Sequence, residues 1–102
     1  MEIKIENIYA FKMTSGQEVV AKISSIDNDY YHLESPLTIG QGPNGMEFLD
    51  AMFCAERFED VAMLKLSVSI VAPARQDIQA VYEESVNPTQ ILKPGQKQII
   101  TG

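Results

Sequence analysis

The side chains that could carry acid–base, nucleophilic or metal chemistry are few in this chain. His32 is the sole histidine and Cys54 is the sole cysteine. One imidazole and one thiol are too few for an internal disulfide, a cysteine zinc cluster, a CxxC redox motif or most histidine-dependent triads. We therefore expect no catalytic residues, no metal site and no cofactor, and we expect a binding or assembly domain, not an enzyme.

His32 and the nearby carboxylates each have a functional and a structural interpretation. The imidazole could move a proton or stack on an RNA base, but its place on a strand beside Tyr31 and Leu33 favours a structural or surface role. Asp27, Asp29 and Glu34 could act as paired carboxylates. Aspartate is also common in turns, because its side chain bonds the neighbouring backbone. We therefore expect a turn here and not a catalytic pair.

The glycine-rich segment 40–45 resembles a phosphate-binding loop only in its glycine content. No lysine follows it, and Met46 begins a strand where a phosphate loop would begin a helix. The same residues are strong turn formers. We therefore predict a hairpin at this position.

Composition places limits on class, partners and location. The 102 residues allow one domain, and the net charge of −6 opposes non-specific coating of nucleic acid. The N-terminal residues alternate charged and apolar types, which predicts no secretory signal, and no apolar run reaches the length of a membrane helix. With a free cysteine, these features predict a cytoplasmic protein without a membrane partner.

The elements that would position these groups are mainly β-strands, because most of the sequence alternates apolar and polar residues with a period of two. The first strand ends at Met13, before a turn at Thr14–Gln17. A second strand covers Glu18–Ile26 and a third covers Tyr30–Ile39, with a bend near Ser35-Pro36.

The fourth and fifth strands differ in pattern. Met46–Phe53 has apolar residues on both faces, which predicts that this fourth strand meets another subunit. Val61–Val71 alternates regularly and predicts a fifth strand. Its inward face would carry Leu64, Leu66, Val68 and Ile70. The intervening residues 54–60 are predicted to be a connector.

The period then changes to that of a helix. After Pro73, apolar residues recur at helical spacing from about Ala74 to Val86, and Asn87-Pro88 would end the helix. So short a helix must dock on the sheet to be stable. We therefore divide the chain into a domain over residues 1–88 and a tail over residues 89–102.

The segment from Met13 to Leu33 carries the most specific pattern in the chain. Apolar residues surround a glycine, a small residue and an aspartate, in the order Met13, Gly16, Val19, Ala21, Ile23, Ile26, Asp27, Tyr30 and Leu33. This pattern resembles the first signature motif of the Sm and Sm-like (LSm) proteins. The chain is similar to small acidic Sm-like proteins of tailed phages of cyanobacteria.

This resemblance implies a mainly β fold and a ring. The expected fold is a five-stranded, strongly bent antiparallel Sm-like barrel with a C-terminal α-helix, and an unrelated SH3-like barrel is the alternative. The expected assembly is a homo-oligomeric ring of roughly five to seven subunits. In that ring, Met46–Phe53 of one subunit would pair with Val61–Val71 of the next.

The resemblance also implies single-stranded RNA binding at the turn between strands two and three. The implied RNA-binding residues are Asp27, Asn28, Tyr30 and Tyr31. Tyr31 stands where the family usually has a base-reading asparagine, so stacking should be the larger contribution and base preference should be weak. The basic pair that the family carries before its last strand has no clear counterpart near residues 57–61.

Phosphate contacts would have to come from Lys12, Lys22 or Arg57, and the acidic balance of the chain opposes RNA binding elsewhere. A second hypothesis is therefore a protein-binding assembly or adaptor module, without RNA binding, whose ring contacts a phage or host protein.

Overall fold

The computed structural model describes residues 1–43, 45–51 and 61–86. Within these ranges the chain forms six strands, one 3-10 helix and one α-helix. The strands are β1 (Ile8–Met13), β2 (Glu18–Ile26), β3 (Tyr30–Gly42), β4 (Gly45–Asp50), β5 (Val61–Leu64) and β6 (Val68–Pro73). The 3-10 helix covers Lys65–Ser67, and α1 covers Gln76–Val86.

All strand pairings are antiparallel and belong to one sheet. The hydrogen-bonded order is β4-β3-β2-β1-β6, and β5 pairs with the first half of β3. The second half of β3 pairs with β4. The prediction of a mainly β chain with a C-terminal helix is confirmed. The pairing describes an open sheet, so closure into an Sm-like or SH3-like barrel stays a prediction.

The first hairpin follows directly from local sequence. Gly16 has φ of +97° in the turn between β1 and β2, a backbone conformation that glycine adopts without the clash that a Cβ would bring. The Met13 N–H donates to Gln17 O at 2.8 Å, which closes the turn. The predicted turn at Thr14–Gln17 and the predicted second strand are therefore both confirmed.

The long third strand bends near Ser35-Pro36, as the sequence predicts. Val20 pairs with Leu37 and Lys22 pairs with Glu34, so the stretch of β3 between these pairs holds one residue more than the facing stretch of β2. Ser35 takes a φ of 49° within this bulge. A bulge of this kind increases local twist and changes the direction of the strand. Beyond the bend, β3 continues past the predicted end to Gly42 and forms the expected hairpin with β4.

The predicted fifth strand is wrong as a single element, because the 3-10 helix Lys65–Ser67 divides Val61–Val71 into β5 and β6. The alternation already has the opposite phase in β5, where Val61 and Met63 pack against the core, and of the predicted inward residues only Val68 does so. Leu64, Leu66 and Ile70 were predicted to face inward, but they are 40%, 86% and 60% exposed. Met63 is buried instead.

The fourth strand is shorter than predicted, since β4 ends at Asp50. Met46 and Leu49 are exposed in the single chain, which agrees with a strand whose two faces are not both covered by its own subunit. The remainder of the predicted fourth strand, Met52 and Phe53, lies outside the described residues. The predicted connector and the predicted tail also lie outside them.

The sheet packs apolar side chains on both of its faces. One core cluster contains Tyr9, Phe11, Val19, Ala21, Ile23, Leu33 and Met63. The other contains Ile8, Val20, Leu37, Ala74 and Tyr82. The alternation along β1 and β2 produces this division, because successive side chains point to opposite faces.

The helix α1 covers the second of these clusters. Tyr82 is its buried residue, and Ile78 and Val86 pack against the same cluster. Val81 is one of the apolar residues that recur at helical spacing after Pro73, but it is exposed and projects away from the sheet. No helix in the described ranges combines the length and apolar character needed to cross a membrane.

Candidate functional site

The turn between β2 and β3 is organised by the side chain of Asp27. Its Oδ1 atom accepts hydrogen bonds from the N–H groups of Asp29 at 3.0 Å and Tyr30 at 2.8 Å. The Asp27 N–H also donates to Tyr30 O at 3.0 Å. Asp27 therefore holds the turn in one shape, and its Oδ1 atom is occupied by the backbone.

The other carboxylate oxygen of Asp27 contacts the imidazole. Nε2 of His32 lies 2.7 Å from Asp27 Oδ2. This hydrogen bond, followed by those from the Asp29 and Tyr30 N–H groups, holds the pKa of the Asp27 carboxyl below its usual value. At neutral pH the turn therefore presents an ionised Asp27 whose two oxygens are both engaged.

Tyr30 presents an exposed aromatic ring at this turn. Its side chain faces away from the first core cluster and is paired across the sheet with Leu64. The ring is 39% exposed, and its centroid lies 6.2 Å from that of the His32 ring. Alternation along β3 puts these two rings on one face, so together they form a tilted, partly exposed aromatic surface.

Tyr31 occupies a different environment from Tyr30. Its ring centroid lies 5.5 Å from that of Phe11, and it packs against the first core cluster. The ammonium of Lys65 lies 5.5 Å from the centroid of the same ring, within cation–π range. Tyr31 is therefore only partly available to a ligand, and it supports the turn from the core side.

Lys65 joins the turn from a distant part of the chain. Its backbone N–H donates to Asp29 O at 2.9 Å, which ties the 3-10 helix to the turn. Sequence reasoning did not identify this lysine. The signal that could have found it is its position shortly before the final strand, once that strand is known to begin at Val68 and not at Val61.

Of the three cations proposed from sequence, Lys12 and Lys22 form ion pairs away from the turn. Lys12 lies 3.9 Å from Glu18, with which it is paired across the first hairpin. Lys22 lies 3.8 Å from Glu6. Arg57 lies outside the described residues. In the described ranges, no carboxylate lies within ion-pair distance of Lys65.

The structure thus brings Asp27, Asn28, Tyr30 and Tyr31 to one turn and adds His32 and Lys65 to it. Asn28 is exposed at the tip, where its amide can donate and accept hydrogen bonds. The described residues contain no group of three or more His, Cys, Asp or Glu side chains placed to hold a metal ion. The turn therefore provides an aromatic surface, the amide of Asn28 and the ammonium of Lys65.

In comparisons with known proteins, the sequence matched no family model and no curated protein.

Proposed function

We propose that this chain is a ring-forming, Sm-like protein that binds single-stranded RNA at the β2–β3 turn. The observation that carries the proposal is that Lys65 lies at the turn, where its ammonium has no carboxylate partner in the described ranges and contacts the half-buried ring of Tyr31, next in sequence to the exposed Tyr30. Single-stranded nucleic acid is bound by this combination, with bases stacked on rings and phosphates held by cations.

The strand arrangement supports the Sm-like part of the proposal. A bent third strand pairs with β2 on one side and with both β4 and β5 on the other. A 3-10 helix then leads into the last strand, which pairs with β1. The Sm-like resemblance implies a basic residue before the last strand, and Lys65 stands three residues before β6.

The exposed edges support assembly into a ring. The hydrogen-bonded path ends at β4 and at β6, and each of these strands has one edge without a partner in the described part of the chain. Such edges pair readily with another chain. A ring in which β4 of one subunit pairs with β6 of the next would use both edges.

The side chains at the turn have different roles in the proposed RNA binding. Tyr30, supported by His32, stacks on a base, and the Asn28 amide bonds a base edge. Lys65 contacts a phosphate. Asp27 does not touch RNA through its own oxygens, since the backbone and His32 engage them, and it acts as a positioning residue.

The experiment is a titration of the protein with short U-rich and A-rich single-stranded RNA at two salt concentrations. We expect similar affinity for both RNAs, because stacking tolerates any base. The Lys65→Gln variant should reduce the slope of log affinity against log salt by about 0.7 for each phosphate that the lysine neutralises.

The matched control is Lys12→Gln, since this lysine is paired with Glu18 away from the turn. It should leave the RNA affinity and its salt dependence unchanged. An assembled protein that binds neither RNA would defeat the RNA proposal, as would an equal loss of affinity in both lysine variants.

A protein-binding adaptor is the second candidate, and a specific observation favours it. Leu64, Leu66 and Ile70 are exposed along β5, the 3-10 helix and β6. Exposed apolar side chains grouped on one segment are typical of protein interaction sites. An intact ring without RNA affinity would favour this second function. The Leu66→Ser variant should then bind the protein partner more weakly.

A further inference from the structure

A groove of about 480 Å³ lies beside the first turn of α1. Its apolar lining includes Ala10, Val20, Ile39, Met46 and Ile78, and we call these five residues the α1 groove. Val20 belongs to the second core cluster, while Ile39 and Ile78 pack against that cluster. The groove is therefore the part of an apolar sheet face that α1 does not cover.

The last sixteen residues of the sequence contain apolar side chains that could fill this groove and basic side chains that could pair with its rim. Residues 87–102 contain two aliphatic pairs, Ile91-Leu92 and Ile99-Ile100. They also contain Lys93 and Lys97 and no acidic residue, so the net charge of −6 divides into −8 for residues 1–86 and +2 for residues 87–102. The segment combines two aliphatic pairs with a net positive charge, and residues 1–86 are acidic.

The charges at the rim of the groove match this segment. Glu18 lines the groove, and its side chain is about half exposed and only loosely paired with Lys12 at 3.9 Å. The other charged residue of the lining, Arg75, is engaged by Asp77 through two hydrogen bonds. A lysine that follows an aliphatic pair can therefore meet Glu18 while the pair enters the groove.

The distance also fits the pair Ile91-Leu92. Ile78 lies eight residues before Val86, which is about 12 Å along a helix. Five residues beyond Val86 can span about 17 Å when extended. The sequence at Pro88 opposes continuation of the helix through the preceding residue.

We propose that Ile91 and Leu92 of the same chain occupy the α1 groove, with Lys93 beside Glu18. A tethered segment needs little intrinsic affinity, because a short linker holds it at an effective concentration of the order of millimolar. The inference concerns a surface away from the β2–β3 turn and does not depend on RNA binding.

Disulfide trapping tests the contact in the full chain, with Cys54→Ser removing the natural thiol. The test variant carries Met46→Cys and Leu92→Cys, and the control carries Ser69→Cys and Leu92→Cys. Both Met46 and Ser69 are exposed, so neither substitution should disturb the fold. We expect trapping within one chain to be about tenfold faster in the test variant than in the control.

Amide hydrogen exchange supplies the second measurement. The double variant Ile91→Asp/Leu92→Asp should speed exchange at residues 39–41 and 74–78 about tenfold. The matched double variant Ile99→Asp/Ile100→Asp should leave it unchanged. Equal trapping in the test and control variants would overturn the proposal. So would unchanged exchange in the first double variant, and trapping between two chains would assign the groove to a second copy.

Discussion

The hydroxyl of Tyr82 donates a hydrogen bond to the carbonyl oxygen of Glu34 at 2.7 Å. The same hydroxyl accepts one from the N–H of Lys22 at 3.2 Å. Lys22 and Glu34 are paired residues that flank the bulge of β3, where the regular ladder between β2 and β3 is interrupted. The helix α1 therefore completes the hydrogen bonding of the sheet at its bend, in addition to covering an apolar face.

Tyr82→Phe should lower the free energy of unfolding by roughly 1–3 kcal/mol, because it leaves a partly buried donor and a partly buried acceptor without their partner. Chemical denaturation at neutral pH measures the change. Tyr30→Phe is the matched control, since that ring is exposed and its hydroxyl has no hydrogen-bond partner in the described residues. An equal effect in both variants would show that the Tyr82 contacts do not stabilise the bend.

Tyr82 should also make the protein sensitive to alkali. Burial raises the pKa of Tyr82 to about 12, against an ordinary value of 10.0. The unfolded chain therefore releases this proton at lower pH than the folded chain does, so the stability is complete below pH 10 and is lost as pH rises towards 12. Unfolding midpoints measured from pH 9 to pH 12 should fall more steeply for the natural protein than for Tyr82→Phe.

Asp27→Ala should destabilise the β2–β3 turn at neutral pH and have little effect in acid. The His32 hydrogen bond and two backbone N–H groups lower the pKa of the Asp27 carboxyl in the folded state. Its contribution is therefore present above the unfolded pKa and lost as pH falls through the lower folded value. The difference in melting temperature between the variant and the natural protein should shrink as the pH is lowered from 7 into the acid range, whereas the difference for Asn28→Ala should not depend on pH.

The two adjacent tyrosines should behave differently when truncated. Tyr31→Ala should cost roughly 1–3 kcal/mol of stability, because the ring packs on Phe11 and the first core cluster. Tyr30→Ala should change stability little and lower RNA affinity by roughly 1–3 kcal/mol for each base that it stacks. Melting and RNA titration of both variants separate the effects, and a Tyr31→Ala protein of normal stability would contradict this assignment.

Leu49→Asp tests the subunit interface apart from the fold. Leu49 lies on the outermost strand β4 and is exposed in the single chain, so an aspartate there should leave the subunit folded. In the proposed ring the same position would bury the charge, at a cost of several kcal/mol. Sedimentation equilibrium should show a ring for the natural protein and a folded monomer for the variant. A monomeric natural protein would rule out the ring.

The sequence by itself determined the features that depend on neighbouring residues. Alternation located β2, the glycine at position 16 located the first turn, and Asp27 located the second. Ser35-Pro36 marked the bend in β3 because proline interrupts a ladder wherever it stands. Each of these signals acts within a few residues, so its meaning does not depend on the rest of the fold.

Only the tertiary structure decided which alternating face is inside and which distant groups meet. In Val61–Val71 apolar residues stand on both alternating faces, and packing against the rest of the sheet buries Met63 and leaves Leu64 and Ile70 exposed. Periodicity also does not reveal the 3-10 helix that interrupts this strand. Lys65 reaches the β2–β3 turn because β5 pairs with β3 some thirty residues away in sequence. The Tyr82 hydroxyl forms a hydrogen bond with Glu34 O beside the bulge, across a still longer separation in sequence. Such contacts depend on the path of the whole chain, so local sequence patterns cannot predict them.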